Sequence, residues 1–410
     1  MAKYKTLDDF NVKNRVVLVR VDFNSEIDAE TKKVASDVRI RAHAESTITE
    51  LAEKGAKVVI LAHQGRKGDA DFTSMKPHAE VLARILKCPV QFVDDVYGEK
   101  AQNAIKDLRS GEVLVLDNVR GFDGETKKGT PEEHSKTPLV QKLAPLADLF
   151  VNDAFAAAHR AHVSMVGFTA VLPSAAGRIM ERELKSLSKA LDKPEKPCLF
   201  VMGGAKADDS LEISKYVLSN NIADIVLVGG VTSQVFLVAK GYKLGEKNMT
   251  FLEKKELTGL IPGIKELIQT YPKGIAVPED LALDVNGKRK EISVSELPAD
   301  YSIFDIGTKT IESYGKLCRS AKSIVLSGPM GVYENPEFAV GTKGIFNAIA
   351  DSKAFSLAGG GHTISALNQF GLSSKISYIS TAGGALIEFL MGKKLPGVVA
   401  LEKAVEKKVA

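Results

Sequence analysis

The stretch Leu199-Phe200-Val201-Met202-Gly203-Gly204-Ala205-Lys206 decides how this chain folds. Its apolar run reads as a strand buried on both faces. A glycine pair and a lysine follow at the point where a helix opens. The rest of the second half repeats the arrangement. Ile225–Val228 leads into Gly229-Gly230, Phe355–Ala358 into Gly359-Gly360-Gly361, and Gly383-Gly384 forms a further pair. Such turns bring backbone N–H groups and a helix dipole onto a phosphate. The first half has no glycine pair, and its apolar runs lead to basic residues: His63-Gln64-Gly65-Arg66, Asn118-Val119-Arg120 and His159-Arg160-Ala161-His162. One half is suited to hold a nucleotide by its backbone, the other to grip a small anion with side chains. Two phosphate sites on two lobes point to phosphoryl transfer.

Around these motifs the strand–helix rhythm continues. Val16–Val21, Val58–Leu61, Val113–Leu116 and Leu149–Val151 read as buried parallel strands. Ile40, Ala44, Ile48, Leu51 and Ala52 recur at helical spacing between the first two, with Gly55 as the stop. In the second half Ile303–Phe304, Ile324–Leu326 and Ile376–Ile379 extend the series. Alternation of this kind implies α/β architecture, parallel sheets covered on both faces, with ligands at the carboxyl ends of strands. At 410 residues two domains are expected. The boundary is placed after Val171-Leu172-Pro173, giving 1–172 and 173–391. A helix from Ala175 to Leu191 would connect them, and the tail 392–410 would pack back onto the first domain.

Composition narrows the function classes. Residues 1–172 hold 25 Lys+Arg and 25 Asp+Glu, so no bulk basic field for nucleic acid exists there. Any anion site must be local, and six of the seven histidines lie in that half. Three scattered cysteines form neither a metal spacing nor a disulfide framework, which points to a reducing cytoplasm. No apolar run is long enough to span a membrane, and the amino terminus carries no apolar signal region.

The individual motifs allow more than one reading. Asp22 and Asn24, flanking Phe23, can accept from a substrate hydroxyl or form an Asx turn. Arg39 at a helix start is either a charge aimed into a site or the partner of Asp37. His63, Arg66, Arg120 and Arg160 are individually weak signals. Together at one sheet edge they are hard to explain as solvated surface, because like charges converge only around something that compensates them. Gly203-Gly204-Ala205-Lys206 lacks the GxxxxGK[ST] pattern, and no strand is followed by GxGxxG, so neither a P-loop nor a dinucleotide fingerprint is present. Gly328-Pro329-Met330-Gly331-Val332-Tyr333-Glu334 reads as a stiff apolar turn ending in a carboxylate, suited to an adenine wall and a ribose acceptor.

Taken in order, these motifs make the chain resemble the phosphoglycerate kinases. The resemblance runs from Arg20 to Val398 and is carried by RVDFN at 20–24, HQGR at 63–66, DNVR at 117–120 and NDAFAAAHRAH at 152–162. GGAK at 203–206, DIGTKT at 305–310, GPMGVYE at 328–334, GGGHT at 359–363 and AGGALIEFL at 382–390 complete it. It implies two Rossmann-like lobes with parallel sheets joined by a long helix. It also implies reversible phosphoryl transfer between 1,3-bisphosphoglycerate and Mg-ADP, giving 3-phosphoglycerate and ATP, by a monomer whose lobes close on both substrates. Asp22, Phe23 and Asn24 would hold the substrate's hydroxyl and carboxylate region, and Gln64 and Gly65 belong to the same loop motif. His63, Arg66, Arg120 and Arg160 would hold its 3-phosphate, with Arg39 facing the reacting carboxylate. Ala205, Gly229, Gly230, Pro329 and Val332 would line the adenine, and Glu334 would accept from the ribose. Lys206, Gly360, Gly361, His362, Thr363, Gly383 and Gly384 would meet the phosphates. His362 stands where the family commonly has the Asp that approaches magnesium, Ser210 where it has a further Lys, and Ser327 where it has Asn. His362 and Gln64 together resemble the archaeal branch. Two other classes compete. A nicotinamide-dependent dehydrogenase lacks its fingerprint here, while a non-catalytic phosphometabolite- or RNA-binding relative is kept open by His362.

Overall fold

The computed structural model describes residues 4–406. Among these the first compact unit runs to Leu184 and resumes at Lys394, and the second is Lys185–Lys393. The first unit is built on β1 (Val16–Arg20), β2 (Lys57–Leu61), β3 (Val90–Phe92), β4 (Val113–Val115), β5 (Leu149–Asn152) and β6 (Ser174–Ala176). They form one parallel sheet in the order β3-β4-β2-β1-β5-β6. One face carries Val17, Val19, Val58 and Ile60 against Ile40, Ile48 and Leu51. The other carries Leu18, Val59 and Leu61 against Leu139, Leu143 and Phe168. Both faces being covered explains why Val16–Val19, Val58–Leu61 and Val113–Val115 are apolar at successive rather than alternate positions.

In the second unit β7 (Cys198–Met202), β8 (Ile225–Val228) and β9 (Ile275–Ala276) are followed by β10 (Asp280–Val285), β11 (Lys288–Ser293) and β12 (Ser302–Ile306). Then come β13 (Ser323–Ser327), β14 (Phe355–Gly359) and β15 (Tyr378–Ser380). The parallel sheet has the order β15-β14-β13-β7-β8-β9.

The structure corrects three expectations. Ile303–Phe304 does not extend the parallel sheet; it lies in β12, the antiparallel partner of β10 in a separate sheet of order β11-β10-β12. The turn Asn286-Gly287 between β10 and β11, with both residues at positive φ (53° and 79°), is the hairpin signal that separates this element. The helix expected from Ala175 begins at Arg178. Ser174–Ala176 instead pairs with β5 as an edge strand, and Asp153 Oδ1 accepts the Ile179 and Met180 N–H groups at 2.8 and 3.2 Å to start the helix. Asp37 does not pair with Arg39: it pairs with Arg41 at 2.7 Å, while Arg39 reaches Asp22.

The chain passes from one unit to the other inside the Arg178–Leu191 helix, later than the expected 172/173 boundary. The helix Pro396–Glu406 belongs to the first unit, where the Gly397 N–H donates to the Ala158 carbonyl at 2.9 Å. Of the expected 392–410 tail, residues 407–410 lie outside the described residues.

Candidate active site

In the first unit the basic residues follow the carboxyl ends of β4, β2, β1 and β5, the adjacent central strands. A parallel sheet gathers ligand-binding groups at that edge. Arg20 closes β1 and is 1% exposed. Its Nε donates to Ser164 Oγ at 2.8 Å, its Nη1 to the Val21 carbonyl, and its Nη2 lies 2.9 Å from His63 Nδ1. A guanidinium only donates, so His63 Nδ1 accepts and the ring's proton sits on Nε2. Burial, then Arg20, Arg120 and Arg160, hold the His63 pKa well below the usual range, so the ring stays neutral. Ser164 is held in turn by Glu125, whose Oε1 accepts from the hydroxyl at 2.6 Å and Oε2 from the N–H at 3.0 Å. Burial lifts the Glu125 pKa to about 7 against the pull of Arg20.

Arg120 is buried, and one of its N–H groups donates to the Gly65 carbonyl. Burial, then Arg160 and Arg20, pull its pKa down to about 10. Arg160 is half-buried, with Nε 3.1 Å from His159 Nε2. Its pKa is lowered by burial and then by Arg66, which is exposed. The same field reaches His162, pushed to about 3 by burial, Arg20, Arg160 and Arg120. A group of guanidiniums that depress one another, with neutral imidazoles among them, is a site under like-charge repulsion that a multivalent anion would relieve.

The acidic side of this edge is narrower than the motif suggested. Asp22 pairs with Arg39, and its own N–H donates to His43 Nε2 at 3.2 Å. Asn24 Oδ1 accepts the Gly65 N–H at 2.9 Å, and Phe23 is buried. Gln64 spends its whole carboxamide on the fold: Oε1 accepts from Ser25 N–H at 2.8 Å and faces His78 Nε2 at 3.0 Å, and Nε2 donates to the Ser25 and Asp71 carbonyls. Arg20, Glu125, Ser164 and His162 were not singled out from sequence. Arg20 and His162 stand inside quoted motifs, but nothing in a linear pattern shows that a strand-end Arg is buried among them.

In the second unit a cavity of about 650 Å³ opens at the carboxyl ends of β7, β13 and β14. That is within the range of small-molecule sites. Ala205, Lys206, Gly230, Pro329, Val332, Glu334, Gly360, Gly361, His362, Thr363, Gly383 and Gly384 all line it. The helices Ala207–Ser219, Gly361–Gln369 and Gly384–Leu390 start on its wall. The floor requires glycine: a Cβ on Gly203 would lie 2.2 Å from the Pro329 carbonyl oxygen, and one on Gly328 2.3 Å from that of Gly203. Thr363 Oγ1 accepts the Gly328 N–H at 2.7 Å and so ties this loop to the neighbouring helix. Gly229 does not line the cavity; it lies under Met330, whose Sδ would be 2.4 Å from an added Cβ.

Apolar wall comes from Pro329, Met330 and Val332, with Ile303 and Phe304 of β12 added. Lys206 is 81% exposed, with Nζ 4.0 Å from Asp209 Oδ2. His362 Nδ1 lies 3.7 Å from Glu334 Oε1 on the cavity rim. Ser210 is buried and its hydroxyl donates back to the Lys206 carbonyl at 3.1 Å.

A family model described as phosphoglycerate kinase matches residues 7–393. The chain belongs to the phosphoglycerate kinase family. As such it is a kinase, a phosphotransferase. The phosphoglycerate kinase of Methanothermobacter thermautotrophicus is 46% identical over 402 residues, 98% of this chain and 97% of that one. That of Pyrococcus furiosus is 43% identical, with 98% of each chain covered. The crystal structure of phosphoglycerate kinase from Pyrococcus horikoshii OT3 superposes with a TM-score of 0.87 at 42% identity, covering 98% of this chain and all of that one. Among the described residues no group of three or more His, Cys, Asp or Glu could hold a metal ion. Among the described residues no helix is long and apolar enough to cross a membrane.

Proposed function

We propose that the protein transfers the acyl phosphate of 1,3-bisphosphoglycerate to Mg-ADP, reversibly, giving 3-phosphoglycerate and ATP. The observation that carries the substrate half is the mutually repelling set Arg20, Arg120 and Arg160 around neutral His63. The 3-phosphate sits among His63, Arg66, Arg120 and Arg160, where His63 Nε2–H donates and the guanidiniums neutralise. Arg39 meets the reacting carboxylate after exchanging its bond to Asp22. Asp22 then accepts from the substrate hydroxyl. Phe23, Asn24, Gln64 and Gly65 shape the loop.

The nucleotide occupies the glycine-lined cavity. Its base lies against Ala205, Gly230, Pro329 and Val332, and its ribose donates to Glu334. Its phosphates meet Lys206 and the N–H groups of Gly360–Thr363 and Gly383-Gly384. Magnesium arrives on the nucleotide and neutralises phosphate charge. Catalysis is positioning and electrostatic stabilisation of the moving phosphoryl group, with Lys206 contributing most in the transition state.

The protein works as a monomer in a reducing cytoplasm. For the compartment, the support is that Cys88, Cys198 and Cys318 are free thiols, and burial pushes Cys198 and Cys318 up to about 12. Titration of the whole protein with 3-phosphoglycerate and with Mg-ADP separately tests the site assignment. Each ligand should bind without displacing the other. Mutual displacement would mean that both compete for one site.

A further inference from the structure

Lys206 is not the only ammonium group on the nucleotide cavity. Among its described lining residues the lysines and arginines are Lys206 and Lys393, facing the carboxylates of Asp209, Asp305, Glu334 and Glu388. Asp305 is committed to Arg289 at 2.8 Å. A nucleoside di- or triphosphate brings several more negative charges into this space, and one exposed lysine leaves them poorly balanced.

We propose that Lys393 is a second phosphate-binding lysine of the nucleotide site, contacting the terminal phosphates from the cavity wall beside the Ala207–Ser219 helix. This rests on the reading of the cavity as the nucleotide site. The backbone places Lys393 there firmly. Gly392 has φ +74°, and a Cβ on it would lie 2.1 Å from the Tyr216 ring. The turn therefore lies flat on the Ala207–Ser219 helix, the helix that Lys206 precedes. The Lys393 N–H donates to the Glu388 carbonyl at 3.0 Å. That bond closes the end of the Gly384–Leu390 helix, whose first turn is also on the cavity wall.

Asp209 marks the space between the two lysines. Burial and Asp208 raise its pKa, while Lys206 and Lys393 both pull it down. Among the described residues Lys393 Nζ forms no ion pair, so its charge is available to a ligand. An arriving phosphate would draw Lys206 from Asp209 and be held between the two lysines. In sequence Lys393 belongs to a charged run, Lys393-Lys394, which reads as solvated surface.

The test is equilibrium titration of the whole protein with ATP, ADP and AMP, for wild type, Lys393→Ala, Lys393→Arg and Lys394→Ala. Lys394 lies outside the cavity lining. Lys393→Ala should bind ATP about tenfold more weakly. AMP, which lacks the terminal phosphates, should bind as before, as should 3-phosphoglycerate. Lys393→Arg should recover most of the loss, and Lys394→Ala should match wild type. Equal losses for ATP and AMP would mean that the substitution only displaces the Gly392 turn, and the proposal would fall. Wild-type ATP affinity in Lys393→Ala would sink the second lysine but leave the cavity's assignment standing. No ATP binding by wild type would overturn both.

Discussion

Replacing Arg160 with Ala should weaken the substrate site and relax the protein around it at the same time. Among the described residues the guanidinium bonds through Nε alone, to His159, so its remaining N–H groups are available to an anion. Losing a charge-assisted contact to a phosphate costs about 1.5–3 kcal/mol, or roughly 10- to 150-fold in affinity. The ligand-free protein has the opposite balance. Arg160 is among the charges that depress Arg120, His63 and His162. Without it that repulsion falls, so the ligand-free melting temperature should hold or rise, and the His162 pKa should move up from about 3. Calorimetric titration with 3-phosphoglycerate and Mg-ADP, thermal melting without ligand, and imidazole NMR across pH measure the three effects. A lower melting temperature together with equal losses for both ligands would refute the reasoning. It would show that Arg160 supports the fold rather than an anion.

Three further outcomes are expected. Lys206→Ala should lower kcat far more than affinity for either substrate, because a contact made mainly in the transition state shows in turnover; a change confined to the nucleotide KM would make Lys206 a ground-state contact. His362→Asp should lower the magnesium concentration needed for half-maximal activity, by adding a carboxylate where the ring now stands 3.7 Å from Glu334; an unchanged midpoint with unchanged nucleotide affinity would make His362 structural. His78 is fully buried and burial lowers its pKa to about 4. The unfolded chain takes up that proton below about pH 6.5 while the folded protein does not, so stability is full above pH 6.5 and falls as pH drops toward 4. The loss is about 3 kcal/mol, and His78→Gln should remove it from urea unfolding measured at pH 7 and 4.5; an identical acid loss in the variant would place the effect on other groups.

Much of this was legible in the chain because parallel strands buried on both faces leave uninterrupted apolar runs. Ile225–Val228 is seen with the bounds its apolar run marks, and the residues just past strand ends are where a parallel sheet must place its ligands. Ile303–Phe304 was misplaced because a short apolar pair has no period; its antiparallel partner supplies the alternation it lacks. Ala175 and Ala176 were read into the helix because alanine favours it, yet pairing with β5 outweighs that propensity. Within the site, the sequence singled out residues just past strand ends and not those beneath them. Arg20, Ser164 and Glu125 are joined by bonds spanning 144 and 39 positions, and no local pattern encodes such a link. Gln64, in the same loop motif, gives its carboxamide to Ser25, Asp71 and His78, a use that no linear pattern shows.

The central claim is transfer of one phosphoryl group between a nucleotide and the carboxylate of 3-phosphoglycerate. Phosphorus NMR of the protein with Mg-ATP and 3-phosphoglycerate, with a trap for the acyl phosphate, observes that transfer directly. The terminal phosphate signal of ATP should decline as ADP and the trapped acyl product appear in step, and only when 3-phosphoglycerate is present. ATP loss that yields inorganic phosphate without an acceptor, or no reaction while both ligands bind, would contradict the account.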